Sequence, residues 1–231
     1  MDATLPVKEY SYIDDVRSDI MKMIPSDGRV IGSVGCGRGR TESVLVERGR
    51  DVHGVDVSAE AIATARLRLT SARVMSPDER MPFDEGSLDG LILADVIEYM
   101  PLAWERLRLF AMMVKPGGWV VISVPNMRYL DVLHQLVVKG EWREVPMGIF
   151  DETHVQVMTH KRLNRWCETA GLEVQQWFDR YDHRFVHRNV YRILNHLTFK
   201  RCRSFFTIEV QGVFRRAASL GVPSAATGGA S

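Results

Sequence analysis

The sequence predicts an α/β protein built on a doubly wound, mostly parallel sheet. Three observations carry that prediction. Strand-like and helix-like segments alternate from residue 29 to about residue 125. Apolar runs such as GLILADVI and WVVISVP lack polar alternation, as strands covered on both faces do. The first strand, RVIGSV, runs straight into VGCGRG, which places Gly35, Gly37 and Gly39 ahead of a helix.

Each element has its own signal. YIDDVRSDIMKMI is read as an N-terminal helix that ends near Pro25. After RVIGSV, TESVLVERG has helical spacing and stops at Gly49. DVHGVDV alternates as a strand. SAEAIATARLRL opens on Ser58, a capping residue, and continues as a strong helix former. ARVM is a short strand and SLDGLILADVI a buried one. LAWERLRLFAMMV is an amphipathic helix, and the KPGG after it reads as a turn into WVVISVP. MRYLDVLHQLVV is helical and KGEWREVPMGIFDETHVQV irregular. THKRLNRWCETAG is a helix with Thr159 as N-cap and Gly171 as stop. LEVQQWF is a strand, RFVHRNVYRILNHL a helix and SFFTIEVQGVFRR the last strand. The small, polar residues of 218–231 are expected to be disordered, leaving a single domain over 1–217.

Composition narrows the class. The chain has 231 residues, 45% hydrophobic and 26% charged, which suits a globular protein with a core that needs no disulfide or metal staple. Its three cysteines are far apart and none has metal-ligand spacing, so a reducing compartment is expected. The N-terminal residues are acidic and polar rather than a signal peptide, and no apolar run is long enough to cross a bilayer. The expectation is a cytoplasmic protein with no membrane partner. The net charge of +1 decides nothing about nucleic acid. Arg180, Arg184, Arg188 and Arg192 recur every four residues; in a helix they share a face, either solvated or holding an anionic group. The aromatics between them, Tyr181, Phe185 and Tyr191, are expected to face the core, which makes a nucleic-acid partner unlikely on this reading.

Glycines between a strand and a helix allow a tight turn and a close approach of a ligand to the main chain, with the helix N-terminus aimed at it. Asp56 ends the next strand, where a carboxylate can accept both hydroxyls of a ribose or simply cap the following helix. Both roles are open on this evidence from spacing alone.

Four segments together carry a resemblance. VGCGRG at 34–39, GVDVS at 54–58, MPFDEGSLDGLILADVIEYM at 81–100 and VKPGGWVVISVPN at 114–126 resemble the class I S-adenosylmethionine (SAM)-dependent methyltransferases, over roughly residues 10–180. SVPNMRYLDVLHQLVVKGEW and FDETHVQVMTHKRLNRWCETAGLEV are similar to a branch found beside glycosyltransferases in glycan and natural-product gene clusters. The resemblance implies a Rossmann-like sheet of seven strands with the last one antiparallel, a cap formed by 1–28 and a substrate lid formed by 127–158. It implies that Gly35, Cys36, Gly37 and Gly39 face the methionine part of SAM. Asp56 would hold the ribose, Val57 would flank the adenine, and Asp78 and Glu79 would reach its amine. Ala94, Asp95 and Val96 would line the pocket, and Arg17, with Tyr10 or Tyr12 beside it, would meet the methionine carboxylate. Two departures stand out: Ser33 replaces an acid that helps fix the methionine ammonium, and Pro77 occupies the usual adenine-contacting Asp position.

Methyl transfer to oxygen needs the nucleophile placed behind the methyl, and a hydroxyl benefits from a base of moderate pKa. His154, in FDETHVQV, is the candidate base and Asp151 its orienting partner. Asn126 is a candidate for holding a substrate hydroxyl; Trp142 and Phe150 would cover the acceptor from the lid. No close ligand cluster supports a metal. The expected activity is SAM-dependent O-methylation of a sugar, glycan or related small metabolite, with an anionic acceptor and a homodimer both compatible. The alternatives are a SAM-binding module without catalysis, motivated by Ser33, and an RNA or protein methyltransferase.

Overall fold

The computed structural model describes residues 14–76, 78–181 and 203–218. Its centre is one seven-stranded sheet in the order β3-β2-β1-β4-β5-β7-β6. The strands are β1 (Val30–Val34), β2 (Asp51–Asp56), β3 (Ser71–Val74), β4 (Leu88–Ala94), β5 (Val114–Pro125), β6 (Leu172–Tyr181) and β7 (Thr207–Arg216). β7 runs antiparallel to both β5 and β6; the pairs among β1 to β5 are parallel. The expected sheet, reversed last strand included, is the one found.

Both faces of the sheet are covered, which explains the apolar runs. Leu91 and Leu93 of β4 and Val120, Ile122 and Val124 of β5 enter one core layer, under α4 (Ala103–Met113) and α6 (His160–Thr169). Their neighbours Ile92, Trp119 and Val121 enter the other, under α1 (Ser18–Met23), α2 (Arg40–Glu47) and α3 (Ala59–Ala65). Alternate side chains thus point to opposite layers and all are apolar. Two helix starts are capped as expected: Ser58 Oγ accepts from Ala61 N–H and Thr159 Oγ1 from Arg162 N–H.

Some expectations need correction. The N-terminal helix starts later than its pattern, because Arg17 N–H donates to Thr41 Oγ1 at 3.0 Å and residues 14–16 are not helical. KPGG is not a turn between α4 and β5; it is a bulge inside β5. The register jumps from Leu88↔Val114 to Gly90↔Trp119, so residues 115–118 bow out opposite Asp89. A Cβ on Gly118 would lie 2.6 Å from the Asp89 carbonyl oxygen, so only glycine lets the bow close. MRYLDVLHQLVV forms a short α5 (Leu130–Leu133) that widens into a π-helix over His134–Val138. Arg180 lies on β6 and pairs with Glu209, so it cannot belong to a helical basic stripe. Arg184, Arg188 and Arg192 lie outside the described residues, as do the expected 184–197 helix and the tail beyond residue 218. Among the described residues, no helix is long and apolar enough to cross a membrane.

Candidate active site

The carboxyl ends of β1, β2 and β4 converge on a cleft of about 590 Å³, within the size range of small-molecule sites. Its walls come from the loop between β1 and α2, the ends of β2 and β4, the residues just past β3, and the strand-to-helix segment after β4. The chain before α1 closes one side through Asp14, Asp15 and Arg17.

The glycine loop forms one wall. Gly35 has φ +73, and a Cβ there would meet Val96 Cγ2 at 2.8 Å. Gly35, Cys36 and Gly37 line the cleft. Gly39 does not: it stands at the N-cap of α2 and packs against Leu69. Asp56 ties the loop to β2. Its Oδ2 accepts from Gly37 N–H at 2.8 Å and its Oδ1 from Ser58 N–H at 2.9 Å. A carboxylate oxygen has two acceptor sites, so each of these can also accept from a ribose hydroxyl. The two roles left open by spacing, capping and ligand contact, therefore fall to one side chain. Val57, Met75 and Val96 add apolar wall around it. Burial pushes the Cys36 thiol far up, so it is a neutral, packed group rather than a nucleophile.

Asp95 sits at the end of β4 with φ +52, a left-handed conformation that Asp tolerates better than most residues. It anchors a half-buried ionic cluster. The Arg17 guanidinium pairs with Asp95, Asp19 and Glu209. Ser123 Oγ donates to Asp95 and Gln211 Nε2 to Asp19. Burial and the neighbouring Asp95 push the Glu209 carboxyl up to about 7, against the pull of Arg17 and Arg180. Burial also lifts Glu98, three residues past Asp95, well above the usual carboxylate range, with Asp95 adding to the effect. Among the described residues, Glu98 Oε2 is buried and has no hydrogen-bond partner. Arg17 is in the cleft wall, but its charge is already shared among three acids.

His154 and Asp151 do not line the cleft. They stand one residue away from it, across Tyr99, which does. The Tyr99 hydroxyl donates to Asp151 Oδ2 at 3.4 Å, and the Tyr99 and His154 rings meet edge to face with centroids 4.8 Å apart. Asp151 Oδ1 also accepts from the Thr153 N–H and Oγ1. The main-chain N–H groups of Val155 and Gln156 donate to Glu98 carbonyl oxygen, which pins this segment beside β4.

Other expected site residues fall elsewhere. Asn126 is fully buried; its Nδ2 donates to the Ser204 and Thr207 carbonyls and its Oδ1 accepts from Arg128 N–H. Its amide is spent on the crossing from β5 to β7, so it does not hold an acceptor. Asp78 is exposed, and Glu79 is paired with Arg73 and held low by that hydrogen bond. Neither lines the cleft; Met75 takes that part of the wall. Phe150 is buried with Met127, Tyr129 and Val132, while Trp142 rests against it, partly exposed. Tyr10, Tyr12 and Pro77 lie outside the described residues. Glu42, Thr41, Tyr99, Met100 and Arg106 line the cleft and were not expected. Glu42 and Thr41 read in sequence as ordinary first-turn residues of a helix. Among the described residues, no group of three or more His, Cys, Asp or Glu is placed to hold a metal ion.

The methyltransferase domain family matches residues 8–176. This chain belongs to that family. The methyltransferase domain is 28% identical over 155 residues to the ubiquinone biosynthesis O-methyltransferase of Azoarcus sp. (strain BH72), covering 64% of this chain and 65% of that protein. It is 31% identical over 153 residues to the protein of that name from Bordetella avium (strain 197N), covering 63% of each. The matches thus span somewhat less than two thirds of these curated relatives. In fold, it superposes on a SAM-dependent methyltransferase from Archaeoglobus fulgidus with a TM-score of 0.57 and 20% identity, over 81% of this chain and 86% of that one. Membership assigns S-adenosylmethionine as the cofactor. The residues present fit it: open main chain at Gly35 and Gly37, the Asp56 carboxylate beside them, and apolar wall from Val57 and Met75 for a flat base.

Proposed function

We propose that this methyltransferase transfers the methyl group of SAM to a hydroxyl oxygen of a small acceptor with an apolar body. One observation carries the reading. Tyr99 lines the cleft, donates its hydroxyl to Asp151 and packs edge to face on His154, so an acid and an imidazole stand directly behind the cleft wall. The bound cofactor supplies a methyl already activated on a sulfonium, which leaves the chain the work of positioning. Asp56 holds the ribose of the nucleoside half, and the glycine loop faces the methionine half. His154 is the base for the acceptor's proton, which it takes at the edge of the cleft, since Tyr99 stands between the imidazole and the cleft interior. Residues 127–158 act as the acceptor lid, Trp142 outermost and Phe150 beneath it.

Support for an apolar acceptor comes from the surroundings. Met100 and Pro101 follow Tyr99 along the cleft, and Trp142, Met147, Val155 and Val157 of the 127–158 segment that carries His154 are exposed. The relatives' names place those proteins in ubiquinone biosynthesis and support oxygen as the methylated atom. No observation supports a sugar or glycan, and the anionic-acceptor reading loses Arg180 to its pair with Glu209.

The experiment is direct. The purified protein is given labelled SAM and two acceptor panels, phenolic rings and sugars, and products are read by mass spectrometry. Transfer to a phenolic oxygen is expected. Transfer confined to sugars overturns the apolar acceptor. SAM binding with no transfer in either panel turns the reading to a non-catalytic binding module.

A further inference from the structure

Among the described residues, the cofactor cleft contains a buried side-chain carboxylate with neither an ion pair nor another residue's main-chain N–H to offset its charge. Asp14 pairs with Arg68, and Asp95 with Arg17. Asp56 spends its two oxygens on main-chain N–H groups. Glu42 is different. It lies in the first turn of α2, is 6% exposed, and lines the cleft. Its Oε1 accepts from Ser33 Oγ at 2.8 Å, and among the described residues no Lys, Arg or His forms an ion pair with it. Burial holds its carboxyl above the ordinary range, Asp56 adds to that, and only hydrogen bonds oppose it. A buried acid of this kind is costly to ionise unless a cation arrives with the ligand.

SAM carries two cationic groups, the ammonium of its amino-acid end and the sulfonium. Asp56 lies beside the Gly35–Gly37 loop at the end of β2, the position suited to a ribose. Glu42 stands against the end of β1, next to Ser33 and Thr41, and Thr41 in turn holds the main chain of Arg17. Ser33 occupies the β1 position that bears the acid in the resembled sequences, and its hydroxyl cannot supply a charge. We infer that Glu42 supplies the missing charge: its carboxylate receives the ammonium of SAM, and Ser33 holds that carboxylate in place. The acid has moved from the strand end to the facing helix, and the serine is its support. This inference rests on the assignment of SAM to the cleft.

Titration calorimetry of the full chain tests it with three ligands. S-adenosylmethionine has both cations, S-adenosylhomocysteine lacks the sulfonium, and methylthioadenosine lacks the whole amino-acid end. Glu42→Gln keeps the shape and the Ser33 hydrogen bond while removing the charge. The variant is expected to bind the first two about tenfold more weakly or worse, in equal measure, as loss of a charge-assisted bond requires. Its affinity for methylthioadenosine is expected to stay within about twofold of the wild type, which also shows that the cleft is folded. Unchanged SAM affinity overturns the inference. An equal loss for methylthioadenosine overturns it too, because Glu42 would then only shape the loop. A loss for SAM alone assigns Glu42 to the sulfonium instead, which is also against it. If the wild type binds none of the three ligands, the cofactor assignment falls first and this inference falls with it.

Discussion

Asp56 accepts from Gly37 N–H and Ser58 N–H through separate oxygens, so the same carboxylate shapes the glycine loop and starts the next helix. Replacing it therefore removes two kinds of support at once. Asp56→Ala is expected to weaken SAM binding by tenfold or more, about 1.5 kcal/mol or above, the scale of losing hydrogen bonds to a charged group. Calorimetry measures the affinity, and unchanged binding would mean the ribose lies elsewhere. His154 calls for a different measurement. As the proton acceptor, its loss in His154→Ala should lower kcat by about a hundredfold or more while SAM affinity is retained. Single-turnover methyl transfer separates the two effects. A variant that transfers methyl within a few-fold of wild type removes His154 from the chemistry. Tyr99 sits between these residues, and only its contacts reveal it; in the sequence it is one more aromatic after a buried strand.

At the scale of elements, α6 does more than cover the sheet. Its N-cap, Thr159, follows directly on the 151–158 segment that carries Asp151 and His154. Thr159→Ala should cost about 1 kcal/mol of stability through the lost cap, measured by urea unfolding. Because the cap is next to the acceptor side and remote from Asp56, the acceptor KM should rise while SAM affinity does not. Most elements were legible because their signals are local: an apolar run bounded by glycine, a capping Ser or Thr, a helical stripe. Where the pattern failed, a distant partner had intervened. The N-terminal helix starts late because of the Thr41 contact with Arg17, and KPGG becomes a bulge because Asp89 across the ladder accommodates it. Asn126 was misread for the same reason, since the carbonyls that consume its amide come from residues 204 and 207.

Taken whole, the molecule stores unfavourable charge at the carboxyl edge of its sheet. Glu98 is buried with Asp95 and Glu209 near it and Arg17 as the opposing cation. A carboxyl held above its ordinary value favours the fold only while protonated. Its contribution is full below the unfolded value near 4.5 and is lost as pH rises through the raised value. Glu98→Gln should therefore melt higher than the wild type, by a margin that widens from pH 5 to pH 9. Thermal unfolding across that range checks it, and a constant or shrinking margin would show that Glu98 is ionised and satisfied. The sequence by itself determined the strand–helix alternation, the glycine loop and the Asp56 that follows it, because each depends on residues close in the chain and on backbone preferences. Tertiary structure alone decided that Arg17 meets three acids, that Tyr99 separates His154 from the cleft, and that Glu42 faces Ser33. Those relations join separate strands and helices, and their energies depend on burial and on partners brought together only when the sheet closes.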